Sequence, residues 1–309
     1  FLSEENISDE EIDKKVLHII RNFPIVTHWT RPPFYNYLKK LYSLNKNLPD
    51  VKKIKLYLSD IPFSWEEMTT EKYRTCLKKE IARRDRIMAD RIISKFHEIL
   101  SSADKRKKCL VIMNYRHAFG NIKNAKGEQA DNAGGYIFEA FPESTANVLI
   151  NTVVDVPKEG DSHEYVTEPA QNGKWDAAFK VSGNPDLGFN FEGSPFGKDS
   201  FDLFPYDTAI RNLRYKDVFT GYVFYKPLKE HFFSEYIPDL FDTDFLKEVN
   251  RRRKIFSEVY NREMPAYSSS YLTEYNERKA RDYKESFKYF DQLIIDQWMD
   301  IKKICKLIQ

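Results

Sequence analysis

Apolar residues at helical spacing predict several helical regions along the chain, three of which lie near its two ends. The first, over 9–20, is a short amphipathic helix, with Ser8 as its N-cap and Glu11 at the spacing of a capping box. The second covers about 34–45, where apolar residues recur at helical spacing. From Asp242 onward the pattern is helical again, so the chain is predicted to end in a helical region.

Short apolar runs predict the strands of a sheet. The run over 53–58 (KIKLYL) alternates, and the run over 109–113 (CLVIM) is continuously apolar, which is typical of a strand covered on both faces. A helix over 71–100 separates them and completes a βαβ unit with a right-handed crossover. Further strands are predicted over 146–154, 187–191 and 217–226.

Two polar stretches interrupt this pattern. The first, over 119–135, is rich in Gly and Asn and is predicted to be a mobile loop over the strand ends. The second, over 155–185, is predicted to be an irregular excursion from the core. Its His163, Glu164 and Glu168 match no known metal-binding spacing, so we interpret them as surface residues.

The order of these elements predicts an α/β fold, in which helices flank a mostly parallel β-sheet and a helical C-terminal region follows. We expect an α/β core domain over 1–240 and a helical extension over 241–309 that packs on it. The chain begins with Phe1 and not with Met, which is typical of a mature or truncated product.

Composition excludes some classes of function. Hydrophobic residues make up 41% of the chain, charged residues 31%, and 49 basic against 47 acidic residues leave a net charge of +2. Such a balance argues against a general nucleic-acid binder, and the RRRK run at 251–254 is interpreted as a solvated helix face. No apolar run approaches the ~20 residues of a transmembrane helix.

Three scattered cysteines, Cys76, Cys109 and Cys305, form no CxxC pair, so neither a zinc site nor a disulfide framework is expected. Cys109 is expected to pack as a small apolar residue. The cysteines are compatible with an oxidising or a reducing compartment. As a separate expectation, an exported location is favoured over a cytoplasmic one.

Polar residues follow two of the predicted strands. Asp60 follows the first, and Asn114, Tyr115, Arg116 and His117 follow the second. Ligands bind just beyond the carboxyl ends of parallel strands, so Asp60 and His117 are expected to face one crevice. The alternative is that each side chain only caps a helix or forms a turn.

Arg84 interrupts the apolar stripe of the helix over 71–100. The stripe consists of Tyr73, Leu77, Ile81, Met88, Ile92, Phe96 and Ile99. Its one step of seven residues leaves a position that Arg84 occupies. Because burial of an unpaired guanidinium is costly, we expect Arg84 to have an anionic partner or to face a cleft. The alternative is that Arg84 extends past its neighbours into water.

Two motifs carry a resemblance to a known family. RDRIMA at 84–89 and NYRHA at 114–118, with a predicted strand between them, resemble the erythromycin-esterase-like group, which belongs to the wider ChaN/Tiki-like superfamily. The resemblance covers about 53–118 and extends more loosely to Tyr225. In that group the pattern is R-[DE]-x-x-M-A on a helix, followed by a strand that ends in H-N-x-H or in H-A.

The resemblance implies that Arg84 is the site arginine and His117 the site histidine. Asn114 replaces the first histidine of H-N-x-H, and the group's G-E-x-H-G motif is not found. We expect catalytic roles for His117, Arg84 and Asp60. We expect substrate-binding roles for Asn114, Asp85, Arg116 and Tyr115.

The expected function is hydrolysis of an ester, lactone or related bond in a small-molecule substrate, with His117 activating water. No cofactor is required for that reaction. The alternative is a non-catalytic ligand-binding protein like the ChaN-like haem or iron uptake proteins. A metal-dependent peptidase like the Tiki branch is a third interpretation, but it lacks a clear ligand set here.

Overall fold

A computed structural model describes residues 1–4, 7–23, 32–120, 122, 131–158, 161–183, 185–203, 212–230 and 237–277. The chain forms two compact units. Unit 1 consists of the described residues within 1–84 and 233–283, and unit 2 of those within 85–232. The expected domains, 1–240 and 241–309, divide the chain differently and stay a prediction.

Helices dominate the described residues. In chain order they are α1 (Asp9–Arg21), α2 (Pro32–Lys46), α3 (Thr70–Lys79), α4 (Arg84–Ser101), α5 (Ala133–Ala140), α6 (Lys174–Val181), α7 (Tyr215–Val218), α8 (Thr243–Tyr260) and α9 (Ser270–Glu277). The strands are β1 (Val148–Ile150), β2 (Val153–Lys158), β3 (Asp161–Pro169), β4 (Leu187–Asn190) and β5 (Gly221–Phe224). None of the described helices combines the length and the apolar character that crossing a membrane requires.

Unit 1 has a helical core, and the helices predicted over 9–20 and about 34–45 are confirmed. The helical region predicted from Asp242 onward is confirmed by α8 and α9, and its part beyond 277 lies outside the described residues. The apolar faces of α1, α2, α8 and α9 contribute one cluster, which includes Val16, Leu38 and Val249. The predicted capping box of α1 is present, because the Ser8 hydroxyl accepts from the Glu11 N–H and the Glu11 carboxylate accepts from the Ser8 N–H. Local sequence signals therefore define α1 correctly.

The RRRK run is not a uniformly solvated face, because Arg252 is buried. Its Nε donates to Glu248 Oε1 at 2.6 Å, and its Nη1 donates to the carbonyl of Arg21. Its guanidinium lies 4.7 Å from the ring centroid of Trp65, a cation–π contact. The prediction of a solvated face is therefore wrong for Arg252, since an ion pair and an aromatic ring compensate its burial.

Unit 2 contains a small mixed sheet and a separate hairpin. β1 pairs with β5 in parallel, β5 pairs with β4 antiparallel, and the strand order is β1-β5-β4. β2 and β3 form an antiparallel pair. Strands therefore occur in all three of the regions 146–154, 187–191 and 217–226. The irregular excursion predicted over 155–185 is wrong, because most of β2, all of β3 and α6 lie within it.

The two predicted strands over 53–58 and 109–113 are not strands in the structure. Neither run belongs to a sheet among the described residues, and Leu110 and Ile112 are 85% and 66% exposed. Cys109 is exposed as well, so its expected burial is also wrong. Apolar sequence favours a strand only where a second strand accepts its backbone hydrogen bonds, and the described part of the chain provides no such pairing.

The single helix predicted over 71–100 is two helices, α3 and α4, with a 3₁₀ turn at Ile81–Arg83 between them. The two helices pack on different cores. Tyr73 of α3 packs with Trp65 in unit 1, whereas Met88 of α4 packs with Ala133 in unit 2. A stripe that serves two cores does not require one continuous helix, and this explains why the prediction fails.

The larger core of unit 2 is aromatic. Trp175 and Tyr215 have ring centroids 4.5 Å apart, and Phe179 stacks on Phe224 at 3.9 Å. A smaller cluster joins Met88 and its neighbours in α4 to the first turn of α5. The side chains of the candidate site lie beside this smaller cluster.

Candidate functional site

His117 and Asp85 form a close pair within unit 2. Nδ1 of His117 lies 2.9 Å from Oδ1 and 3.0 Å from Oδ2 of Asp85. Asp85 is in the first turn of α4, and His117 is in the 3₁₀ turn Tyr115–Ala118. The side chains are 17% and 20% exposed, so the pair is largely shielded but still reached by solvent.

Asn114 starts the turn that carries His117. Its side-chain oxygen accepts from the N–H of Arg116 at 3.1 Å, and its carbonyl accepts from the N–H of His117 at 3.0 Å. This is the turn-forming behaviour that short amide side chains favour. Tyr115 packs against the aromatic core, and the Arg116 side chain is exposed. The substrate-binding roles expected of these three residues stay a prediction.

The N-terminus of α5 contacts Asp85 and the turn that carries His117. The N–H of Ala133 donates to Asp85 Oδ1 at 2.9 Å. The side-chain amide of Asn132, the N-cap of α5, donates to the carbonyl of Arg116. The Asp85 carboxylate thus lies at the start of α5 and in the first turn of α4, where helix dipoles favour a negative charge.

The pairing determines which proton chemistry His117 can perform. A carboxylate only accepts hydrogen bonds, so the neutral imidazole carries its proton on Nδ1 and its lone pair on Nε2. This tautomer suits a general base that removes a proton from water. It also suits a metal ligand, since ligating histidines usually donate their other N–H to a carboxylate or a carbonyl.

Arg84 and Asp60 form a second pair, in unit 1. Nε of Arg84 donates to Asp60 Oδ1 at 2.7 Å, and its Nη2 donates to Oδ2, which gives a two-bond ion pair. The anionic partner predicted for Arg84 is therefore confirmed. Arg84 belongs to unit 1 and His117 to unit 2. The expectation that they share one crevice with Asp60 stays a prediction.

No cluster of three or more His, Cys, Asp or Glu side chains that could bind a metal is found among the described residues. A histidine nitrogen is of the chemical type that holds haem iron, so His117 is the residue of this pair that would hold an added haem. Of the loop predicted over 119–135, residues 121 and 123–130 lie outside the described residues, and 133–135 belong to α5, so the prediction is wrong for that part.

Sequence reasoning missed the contribution of α5 to this site. The frequent Gly and Asn over 119–135 favour a loop, whereas Asn132 caps α5 and Ala133 and Gly134 belong to it. An Asn four positions before the apolar run that starts at Tyr136 is also compatible with a helix N-cap. The backbone contact of Ala133 with Asp85 has no sequence signal at all.

Comparison with known proteins adds no relative. No protein-family model, no curated protein and no solved structure matches this chain.

Proposed function

We propose that the protein is a hydrolase of esters, lactones or related small molecules, in which His117 activates water. The observation that carries this proposal is the contact of His117 Nδ1 with both carboxylate oxygens of Asp85. The resemblance of 84–89 and 114–118 to the erythromycin-esterase-like group supplies the substrate class. The mostly parallel sheet of that group belongs to the same proposal.

In the proposed mechanism, Asp85 holds the imidazole in the tautomer that is protonated on Nδ1. The Nε2 lone pair accepts a proton from water while the water oxygen attacks the carbonyl carbon of the substrate. The imidazolium that results is stabilised by the adjacent carboxylate. It then returns the proton from Nε2 to the departing alkoxide, and the imidazole becomes neutral again.

This mechanism gives Asp85 an orienting role in place of the substrate-binding role expected from the sequence. An orienting carboxylate must itself be held, and the N–H of Ala133 does this from the N-terminus of α5. Because α5 packs through Ala133 against Met88 and Ala89 of α4, the carboxylate is held between two packed helices. Such packing limits the movement of the imidazole. General-base catalysis requires an imidazole that is held in one orientation.

Substitution of His117 tests the proposal. The wild type and His117→Gln would be assayed against a panel of aryl esters, alkyl esters and lactones, by chromogenic release or by pH-stat. Loss of the general base should lower kcat/KM by about 100-fold or more. The matched control is His97→Gln, because His97 is exposed on the same helix as Asp85, and its ring is tilted against Phe141 at 5.1 Å between centroids.

Absence of hydrolysis by the wild type across the panel would refute the proposal. An unchanged kcat/KM in His117→Gln for every substrate that the wild type hydrolyses would refute it equally.

Haem or metal binding is the second candidate, and the same contact favours it. The contact of Nδ1 with Asp85 is the carboxylate support that ligating histidines usually have on their other ring nitrogen. Haem would supply the iron that Nε2 coordinates. Titration with haem should then give a Soret shift that His117→Gln abolishes and His97→Gln preserves. A titration without any Soret shift would eliminate this candidate.

A further inference from the structure

Asn132 joins the two chain segments that carry the candidate catalytic pair. It is 8% exposed and lies at the N-cap of α5. Its Nδ2 donates to the carbonyl of Arg116, the residue just before His117, while its Oδ1 accepts from the N–H of Gly135 at 3.4 Å. The next residue, Ala133, donates its N–H to Asp85 at 2.9 Å. Two consecutive residues thus hold both halves of the pair.

We propose that Asn132 is a positioning residue for His117, an inference that rests on the proposed hydrolase function. The imidazole reaches Asp85 only if the turn Tyr115–Ala118 is fixed relative to α4. α5 is the element that contacts both, through the Asn132 side chain and the Ala133 backbone. Without the bond to Arg116, the turn loses a side-chain hydrogen bond to α5 next to His117, while the bond from Asn147 to the carbonyl of Ala118 remains.

The tight packing of α5 against the turn supports this role. A Cβ atom placed on Gly134 would lie 2.6 Å from the carbonyl oxygen of Phe119 and 2.7 Å from that of Ala118. Only glycine fits so close to two backbone carbonyls. The start of α5 therefore lies directly on the end of the turn, and the amide of Asn132 determines how the two meet.

The chemistry of an amide separates this role from simple helix capping. Capping needs only an oxygen that accepts from the N–H of Gly135, and Asp or Ser provides one as well as Asn does. Donation to the carbonyl of Arg116 needs the NH₂ group, which only the amide has at this length. Asn132→Asp therefore keeps the cap, removes the donor and places a carboxylate oxygen against a carbonyl oxygen.

The test compares Asn132→Asp and Asn132→Ser with the wild type in full-length protein. The first readout needs no substrate: the NMR resonance of the His117 Nδ1 proton, assigned by its absence in His117→Gln. We expect this resonance to shift or to vanish through exchange with water in both variants, while circular dichroism shows that both variants are folded. For a hydrolase, kcat should also fall by about tenfold to a hundredfold.

Asn250→Asp is the matched control. Asn250 bonds the backbone of Tyr267 through the same amide pattern, with Nδ2 donating to its carbonyl and Oδ1 accepting from its N–H, but it lies in unit 1. The Asn250→Asp substitution should leave the His117 resonance unchanged. A His117 resonance that is also unchanged in folded Asn132→Asp and Asn132→Ser would overturn the inference. Absence of hydrolysis with an altered resonance would refute the function and leave the positioning role supported.

Discussion

Asp85 and His117 are 32 positions apart in the chain, and both carboxylate oxygens of Asp85 lie within 3.0 Å of Nδ1 of His117. Neither residue alone is informative, because isolated carboxylates and imidazoles are common on protein surfaces. Their contact, together with the N–H of Ala133 on the carboxylate, is an arrangement that orients an imidazole for proton transfer.

Replacement of Asp85 by Asn should impair hydrolysis without unfolding the protein. An amide NH₂ facing Nδ1 favours the opposite tautomer, with the lone pair on Nδ1 and not on Nε2. We expect kcat to fall by about 10²- to 10⁴-fold, as for orienting carboxylates in other hydrolases. Steady-state kinetics on the responsive ester or lactone measures this effect.

The control for that experiment is Asp90→Asn. Asp90 lies on the same helix and pairs with Arg86 at 2.9 Å, where both side chains are about half exposed. Its kcat should match that of the wild type. Equal activity of Asp85→Asn and Asp90→Asn would contradict the orienting role of Asp85.

Gly134→Ala should destabilise unit 2 through a steric clash. The added methyl group would meet the carbonyl oxygens of Ala118 and Phe119 at 2.6–2.7 Å, and backbone atoms cannot rotate away. We expect a loss of about 1–3 kcal/mol in the free energy of unfolding, measured by urea denaturation. Gly188→Ala is the control, because its nearest neighbour is a Val223 methyl group at 3.4 Å. Equal stability of the two variants would show that α5 does not lie against the turn.

The pair of Arg84 and Asp60 should contribute modestly to stability. It has two hydrogen bonds, but the Asp60 side chain is about half exposed, so solvent screens the attraction. A double-mutant cycle with Arg84→Gln and Asp60→Asn should give a coupling free energy of about 0.5–1 kcal/mol. The exposed pair of Lys14 and Glu10 is the comparison and should give less. A coupling of zero for Arg84 and Asp60 would contradict the ion pair.

Glu248 should make unit 1 sensitive to acid. Burial raises the pKa of Glu248, but hydrogen bonds from Arg251 and Arg252 outweigh burial and leave the pKa below the ordinary value of 4.5. A lowered pKa stabilises the fold above about pH 4.5, and this stabilisation is lost as the pH falls through the folded-state pKa. The free energy of unfolding should therefore decrease as the pH is lowered from 7 to 3.

Glu248→Gln should flatten that pH dependence and also lower stability at pH 7, because Arg252 stays buried without its carboxylate. Asp244→Asn is the control, since Asp244 pairs with Lys247 where both side chains are exposed. An acid transition in Glu248→Gln as steep as that of the wild type would show that another carboxylate is responsible.

The two described cysteines should differ in reactivity. Burial raises the pKa of Cys76 to about 11, with a further contribution from Glu80. Desolvation also raises the pKa of Cys109, but that side chain is exposed to a reagent. Because the thiolate is the nucleophile, alkylation of Cys76 should be slow at pH 7 and should accelerate about tenfold per pH unit below pH 11. Peptide mass spectrometry after timed iodoacetamide treatment measures each site. Faster labelling of Cys76 than of Cys109 at pH 7 would contradict this burial.

The ion pair of Arg84 and Asp60 shows how much of a site the sequence predicts. The helical stripe showed that Arg84 needs an anionic partner, and the structure provides Asp60. The stripe could not show that the helix breaks at Ile81–Arg83, because each half packs on a separate core. Hydrophobic spacing reports that a face is buried and does not identify what buries it.

The sequence by itself determined the elements whose stability is local. α1, α2 and α8 follow from residues three and four positions apart and from caps such as Ser8, which act within one helical turn. Only the tertiary structure decided which apolar runs pair as strands and how the site is assembled, because these contacts join distant residues. The runs at 53–58 and 109–113 have strand-like composition but no pairing among the described residues. The contacts of Asp85 with His117 and Ala133 span 32 and 48 positions, and no local pattern encodes them.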